Sequence, residues 1–310
     1  MIAFIFPGQG SQKVGMGTEL AEASNVAREV FEEVDEALKQ KLFQLMREGP
    51  ESELTMTANA QPAIMANALA VARVLEDGGV SLSEKGEAVA GHSLGEYSAL
   101  ASVGAFSLTE TARLLRTRGI AMQDAVPIGV GGMCALLGAD LEKAQVLADA
   151  AAGDDVCEVA NDNDPGQVVL SGHLSAIDRA VELAKEHGIK RAIKLPVSAP
   201  FHCSLMQPAA ERMRAALDIT PPTAFRLPVY SNVTAAGVTE AATEKDLLIE
   251  QITGRVRWRE SVLAMQESGI THFVELGGTV LSPMIRKIAP EATVTSVVGM
   301  DDIEALAKEI

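Results

Sequence analysis

The sequence predicts an α/β protein, a parallel-sheet core carrying a small βαββαβ insertion. Three observations predict it. Apolar strands alternate with helical segments from residue 1 to about 125, the rhythm changes after Gly129-Val-Gly-Gly132, and the first rhythm resumes from about Ala199. The 310 residues, 47% of them hydrophobic, are enough for one large domain or two smaller ones.

Ile2–Phe6 is short and apolar, lacks a cleavage-site pattern, and is read as the first core strand. Gln61–Leu75 reads as a buried, proline-initiated helix. The apolar run Glu87–Ala90 enters Gly91-His92-Ser93-Leu94-Gly95, and the helix-forming segment Glu96–Ser102 follows. Strand, tight Gly-x-Ser-x-Gly turn and helix make a nucleophile elbow, in which glycines permit the sharp corner and the helix start offers free N–H groups. Thr109–Gln123 is an amphipathic helix.

In the middle segment, Met133–Leu137, Val156–Ala160, Val168–Ser171 and Ala192–Val197 read as strands, and Leu141–Ala151 and Ala176–His187 as helices. Asn161-Asp-Asn-Asp-Pro-Gly166 reads as the turn between the second and third of these strands. That order is the ferredoxin-like pattern. The expected division is therefore 1–128 plus 199–310 for the large unit and 129–198 for the inserted one. Thr271–Leu276 and Thr293–Val298 complete the large unit's strands.

Composition excludes several functions. A formal charge of −16 opposes nucleic-acid binding, which needs a basic footprint. No apolar run approaches the ~20 residues that span a bilayer. Cys134, Cys157 and Cys203 are odd in number and lack metal-ligand spacing, which points to reduced thiols in the cytoplasm and to no metal site.

A nucleophilic serine needs a base. Among the five histidines, His92 should point away from the nucleophile, His187 sits in a polar helix end, and His173 and His272 read as structural. His202 lies in Val197-Ser-Ala-Pro-Phe-His-Cys, where the chain re-enters the core, and such junctions line clefts. Its neighbour Cys203 reads as a packed side chain. Arg118 shares an apolar stripe with Thr111, Leu115 and Met122, whereas Arg113 and Arg116 read as solvated. Two readings stay open for Arg118: a guanidinium awaiting an anionic ligand, or one paired with an internal carboxylate or reaching water. The Pro7–Gln12 loop follows the first strand, where parallel sheets bind ligands, and it has no nucleotide-binding spacing.

Together these residues resemble the malonyl-CoA:acyl carrier protein transacylases of fatty-acid synthesis along essentially the whole chain. The matching motifs are Phe6–Gln12, Gln61-Pro-Ala, Gly91–Leu100, Arg118-Gly with Met122-Gln, Asn161-x-Asn-x-Pro-Gly-Gln-Val-Val, Pro196–His202, and Gln251 before Val256-x-Trp258. The resemblance implies an α/β-hydrolase-like fold with a ferredoxin-like insertion, and malonyl transfer from malonyl-CoA to acyl carrier protein without a cofactor. It implies Ser93 as nucleophile and His202 as base, with the Gln251 carbonyl orienting the imidazole. Backbone N–H groups of Gln9 and Leu94 would hold the oxyanion, Arg118 the malonyl carboxylate, and Asn161 would line the pocket. Leu94 and Phe201 resemble malonyl-type members. Glu275–Leu281 looks one residue shorter than the family's turn, which puts its geometry in question.

An acidic carrier needs a local basic patch. Lys190, Arg191 and Lys194 form one candidate, and Arg255, Arg257 and Arg259 another. Competing readings are an esterase or thioesterase, which would recruit the late His272 and leave Arg118 without a purpose, and a non-catalytic carrier-binding scaffold.

Overall fold

Alternate side chains of the first strand, β1 (Ile2–Phe6), are buried on opposite faces of a sheet: Phe4 and Phe6 enter one core, Ala3 and Ile5 another. Burial on both faces explains why the strand reads as a continuous apolar run. The computed structural model describes residues 1–197 and 199–310; Ser198, within the Pro196–His202 motif, lies outside the described residues.

After β1 come four helices, α1 (Thr18–Ala23), α2 (Asn25–Leu38), α3 (Leu42–Glu48) and α4 (Glu51–Leu54), then the long α5 (Thr57–Asp77) and the short α6 (Leu82–Lys85). Strand β2 (Gly86–Gly91) leads into α7 (Gly95–Ser102) and α8 (Leu108–Asp124). The middle of the chain is β3 (Gly131–Leu137), α9 (Leu141–Ala152), β4 (Cys157–Asp164), β5 (Gln167–His173), α10 (Leu174–Leu183) and β6 (Arg191–Lys194). A 3-10 turn and α11 (Gln207–Ile219) follow, then β7 (Val229–Tyr230), β8 (Gly237–Val238), α12 (Ala241–Glu250) and α13 (Trp258–Glu267). The chain closes with β9 (His272–Leu276), α14 (Leu281–Ile288), β10 (Thr293–Val297) and α15 (Met300–Glu309).

The large sheet has the order β10-β9-β1-β2-β7-β8 and is parallel except for the β7–β8 pair. One face packs on α5, α7 and α8; the other packs on Trp258, Val262 and Ile285 of α13 and α14. The second sheet, β4-β5-β3-β6, is antiparallel, with α9 and α10 closing its own apolar core. It is tied to the rest of the chain by a bridge in which Asp162 N–H donates to Val256 O (2.9 Å) and Val256 N–H donates to Ala160 O (2.8 Å).

The mixed α/β character with a parallel core agrees with the sequence reading. Several boundaries differ. Pro62 does not start its helix: α5 begins at Thr57 and carries the proline inside, where almost every neighbour is buried and packing outweighs one lost backbone bond. Asn161–Asp164 is strand and not turn. Register shifts in β4 absorb those polar residues, leaving Pro165-Gly166 as the connection. Gly131 and Gly132 belong to β3, and the last strand of this sheet stops at Lys194. Helices α1 to α4 were not foreseen.

Candidate active site

The elbow after β2 is a close three-way contact. A Cβ on Gly91 would lie 1.9 Å from the Gly95 carbonyl, and one on Gly95 would lie 2.3 Å from Phe6 O. Only glycine lets these backbones meet. Ser93 itself adopts φ 54°, a left-handed conformation that costs energy in a non-glycine residue and lifts the side chain clear of the turn. Asn232, just past β7, straps the corner. It accepts Ser93 N–H at Oδ1 (2.7 Å) and donates from Nδ2 to Gly91 O (2.7 Å). No motif spacing exposed Asn232; its only sequence signal is a polar side chain directly after an apolar strand.

His202 also has a positive φ, 58°. Its Nε2 lies 2.8 Å from Ser93 Oγ, and its Nδ1 lies 2.8 Å from the backbone oxygen of Gln251. A carbonyl can only accept, so the proton sits on Nδ1 and the lone pair of Nε2 faces the serine. Burial lowers the imidazole pKa to about 3, with the Arg118 charge as the next cause, so the ring is neutral and its Nε2 can accept a proton. Cys203 is packed: its thiol donates to Pro200 O (3.2 Å), and burial pushes its pKa up to about 11.

Arg118, on α8, is 1% exposed. Its guanidinium donates to Gln61 Oε1 (2.9 Å), Gln251 Oε1 (2.7 Å) and Ser93 Oγ (3.2 Å), and Nε has no partner among the described residues. All three acceptors are neutral, and no carboxylate among the described residues forms an ion pair with it. The reading that paired it internally is thereby overturned. Its longer-range electrostatic partner is Glu96, reached through the Gln251 amide, and its side chain lines the cavity beside Ser93 with no carboxylate in direct contact among the described residues. Arg113 is exposed as expected, but Arg116 is half-buried and donates to Gln40.

The Gly8-Gln9 loop lies against the elbow, since a Cβ on Gly8 would sit 2.6 Å from His92 O. The backbone N–H groups of Gln9 and Leu94 make no hydrogen bond among the described residues. Asn161, 6% exposed, lines the same cavity of about 360 Å³ as Gln9, Ser93, Arg118, Phe201 and His202. The cavity lies between the two sheets, at the carboxyl ends of β1 and β2, where parallel sheets open their crevices.

Gln251 contributes more than its carbonyl. Its Nε2 donates to Ser93 O (3.0 Å) and to Glu96 Oε2 (2.9 Å), while its Oε1 receives Arg118. His92 makes structural contacts and also borders the site. It lines the cavity, bonds Asn163 Oδ1 through Nε2 (2.8 Å), and stands with its ring centroid 5.7 Å from that of Trp258. His272 bonds Thr295 Oγ1 (2.9 Å) at the start of β9, the end of the sheet away from Ser93. His173 accepts Val156 N–H (2.9 Å), a structural role. In the questioned turn, Glu275 is buried and accepts three N–H groups from Val280, Leu281 and Ser282 (2.8 to 2.9 Å). That carboxylate caps α14 and fixes the turn.

Of the two basic clusters, the later one is largely paired, its three arginines sharing two carboxylates. Arg255 and Arg257 pair with Glu260, and Arg259 donates to Asp162 (2.8 Å). Lys194 pairs with Asp178, whereas the exposed Lys190 and Arg191 make no ion pair among the described residues.

A serine hydrogen-bonded to a neutral imidazole on a glycine elbow, beside two free backbone donors and a buried guanidinium, has the geometry of a serine acyl-transfer enzyme. The acyl transferase domain family profile matches residues 3–299, and the chain belongs to that family. It is 44% identical over 305 residues to the malonyl CoA-acyl carrier protein transacylase of Bacillus subtilis (strain 168), covering 98% of this chain and 95% of that one. Among solved structures, the acyl-carrier-protein-S-malonyltransferase of Bartonella henselae superposes with a TM-score of 0.97 at 48% identity, covering 99% and 98% of the two chains. A malonyl-transacylase solved in complex with its type II PKS acyl-carrier protein superposes with a TM-score of 0.96 at 35% identity, covering 100% and 99%. No helix among the described residues is long and apolar enough to cross a membrane.

Proposed function

We propose that this chain moves a malonyl group from malonyl-CoA to the phosphopantetheine thiol of acyl carrier protein through a malonyl-serine intermediate. The observation that carries the reading is Arg118, a buried cation without a carboxylate partner among the described residues, 3.2 Å from Ser93 Oγ. It supplies the anion specificity that a general thioesterase does not need. A planar guanidinium suits bidentate pairing with a carboxylate.

Ser93 Oγ attacks the thioester carbonyl as its proton passes to His202 Nε2. The oxyanion sits on the Gln9 and Leu94 N–H groups, each such donor typically contributing about 2.7–4 kcal/mol. Collapse breaks the C–S bond, and His202 returns the proton to the departing coenzyme A sulfur. In the second half-reaction the carrier's thiol gives its proton to His202 and attacks the acyl-serine. The new thioester leaves and Ser93 Oγ recovers the proton. Holding the imidazole tautomer, the task of the acid in a triad, falls to the Gln251 carbonyl. The reaction needs no cofactor beyond its thioester substrate.

The same reading takes residues 1–128 plus 199–310 as an α/β-hydrolase-like unit and 129–198 as a ferredoxin-like insertion, supported by the β3-α9-β4-β5-α10-β6 order and the antiparallel strand order of the second sheet. The expected setting is fatty-acid synthesis in the cytoplasm, in keeping with three buried free cysteines. For the carrier, the exposed Lys190 and Arg191 are the better-supported docking charges.

The test is the intact mass of the denatured protein after brief exposure to malonyl-CoA, with acetyl-CoA and Ser93→Ala in parallel. A stable gain of one malonyl group, absent in the variant and weak with acetyl-CoA, is expected. Free malonate accumulating without an adduct would replace the reading with a thioesterase.

A further inference from the structure

Behind Gln251 lies a buried acid that the acyl-transfer steps do not use. Glu244 on α12 and Glu96 on α7 are both 0% exposed. Glu96 Oε2 accepts N–H groups from Asn232 (2.9 Å) and Gln251 (2.9 Å). Among the described residues, its Oε1 and both oxygens of Glu244 receive no donor, although the two side chains are in hydrogen-bonding contact with each other. Two ionised carboxylates face to face in a dry interior repel strongly, and three unpartnered acceptors add to the cost. One proton removes both problems, because it converts an acceptor into a donor.

We propose that Glu244 stands as the neutral acid and donates its proton to Glu96, which, as a carboxylate, fixes the Gln251 amide for the Ser93–His202–Arg118 centre. Burial raises both carboxyls, and the assignment within the pair follows from the neighbours. Glu96 has two N–H donors and the longer-range Arg118 charge, all of which oppose that rise, and among the described residues Glu244 has neither. A carboxylate can only accept, so it takes the Gln251 NH2 and turns the amide oxygen toward Arg118. A flipped amide would set its NH2 against the guanidinium and its oxygen against Glu96 and Ser93 O. Glu244 is thus a positioning residue, acting through Glu96 and Gln251.

Burial, reinforced by the Glu96 charge, pushes the Glu244 pKa up to about 10. The ionisable groups around the pair are Tyr97 on α7, itself raised by burial, and Arg118 on α8. The charged residues of α11, which packs on α12, are all exposed: Glu211, Arg212, Arg214 and Asp218. On α12 itself Lys245 pairs with Asp218 at 2.5 Å, and Asp246 and Glu250 face solvent. The Glu244 proton is therefore present at neutral pH and is lost only in the alkaline range, when the pair becomes a repelling dianion.

This inference rests on the acyl-serine reading, and its test separates the two. Infrared spectra of the full-length protein in H2O and D2O should show a deuterium-sensitive carbonyl band of a protonated carboxyl at neutral pH, absent from Glu244→Gln. Malonyl-enzyme formation is followed against pH in the same proteins. Glu244→Gln keeps a donor to Glu96, so it should match the native rate at neutral pH and hold its plateau where the native rate falls. Glu244→Leu leaves Glu96 short of a donor and should lose about tenfold at neutral pH. Absence of the band, or identical alkaline limbs in the native and Gln proteins, overturns the proposal. If the native protein forms no malonyl-enzyme, the acyl-serine reading fails, while the infrared band still decides where the proton is.

Discussion

Replacing Arg118 by alanine should change which acyl group the protein accepts more than how fast it acylates. The guanidinium is held by the Gln61 and Gln251 side-chain oxygens, both acceptors. Without the arginine, a malonyl carboxylate would enter a buried pocket and meet those oxygens with no cation between them. Leaving one charge of a buried pair uncompensated costs about 2–5 kcal/mol, which is roughly thirty- to five-thousand-fold in kcat/KM. An acetyl group carries no charge and escapes most of this loss. The ratio of malonyl to acetyl transfer should therefore fall by that factor, read as parallel single-turnover acylation rates by intact mass. A thermal melt of the same variant reports the separate cost of the two glutamine oxygens left without a donor. Equal loss with both thioesters would refute the carboxylate clamp and leave Arg118 a structural residue.

Two further perturbations probe the serine–histidine pair. Because burial lowers His202 to about 3, the acid limb of malonyl-enzyme formation should fall well below the ordinary imidazole value of about 6.5. The same depression makes the unfolded chain bind the proton first, so His202 contributes stability that is full above about 6.5 and is lost as pH falls toward about 3; an acid limb centred on the ordinary value would remove the neutral-base assignment. Gly8→Ala places a Cβ 2.6 Å from His92 O and must shift the loop carrying Gln9. Loss of that oxyanion donor predicts an acylation rate lower by about 10²–10³, and an unchanged rate would show that the Gln9 N–H takes no part.

The parallel core was legible because burial on both faces of β1 and β2 leaves continuous apolar runs, and because the elbow's glycines answer a local need for close backbone approach. The segment from Thr18 to Leu54 was not. Three of its helices, α1, α3 and α4, are short and have no side-chain cap, so their order comes from packing and not from local signals, whereas α2 carries a Ser24 cap and an apolar stripe that the reading passed over. Asn161–Asp164 misled for a related reason: four polar residues before Pro-Gly have turn chemistry, and distant partners satisfy three of them in a buried strand, Arg259 for Asp162, His92 for Asn163 and Lys287 for Asp164. Asn232 and the Gln251 side chain were invisible because they act on Ser93 from 139 and 158 residues away. Arg118 was half legible. Helical spacing put it on an apolar stripe, but whether a carboxylate met it there depended on elements that spacing does not describe.

On the proposed reading, the absence of a carboxylate on His202 among the described residues fits the work assigned to Arg118. A carboxylate in the place of the Gln251 carbonyl would favour the imidazolium and raise the base's pKa. Placed this close to the guanidinium, it would also compete with the substrate's carboxylate for the one buried cation. The nearest carboxylate, Glu96, is instead separated from both by the Gln251 amide, whose NH2 faces Glu96 and whose oxygen faces Arg118. The backbone carbonyl of the same residue fixes the His202 tautomer without adding charge. On the proposed acyl-serine reading, one glutamine would orient the base through its carbonyl and leave the arginine open to an anion through its amide, while burial and the Arg118 charge keep the imidazole neutral.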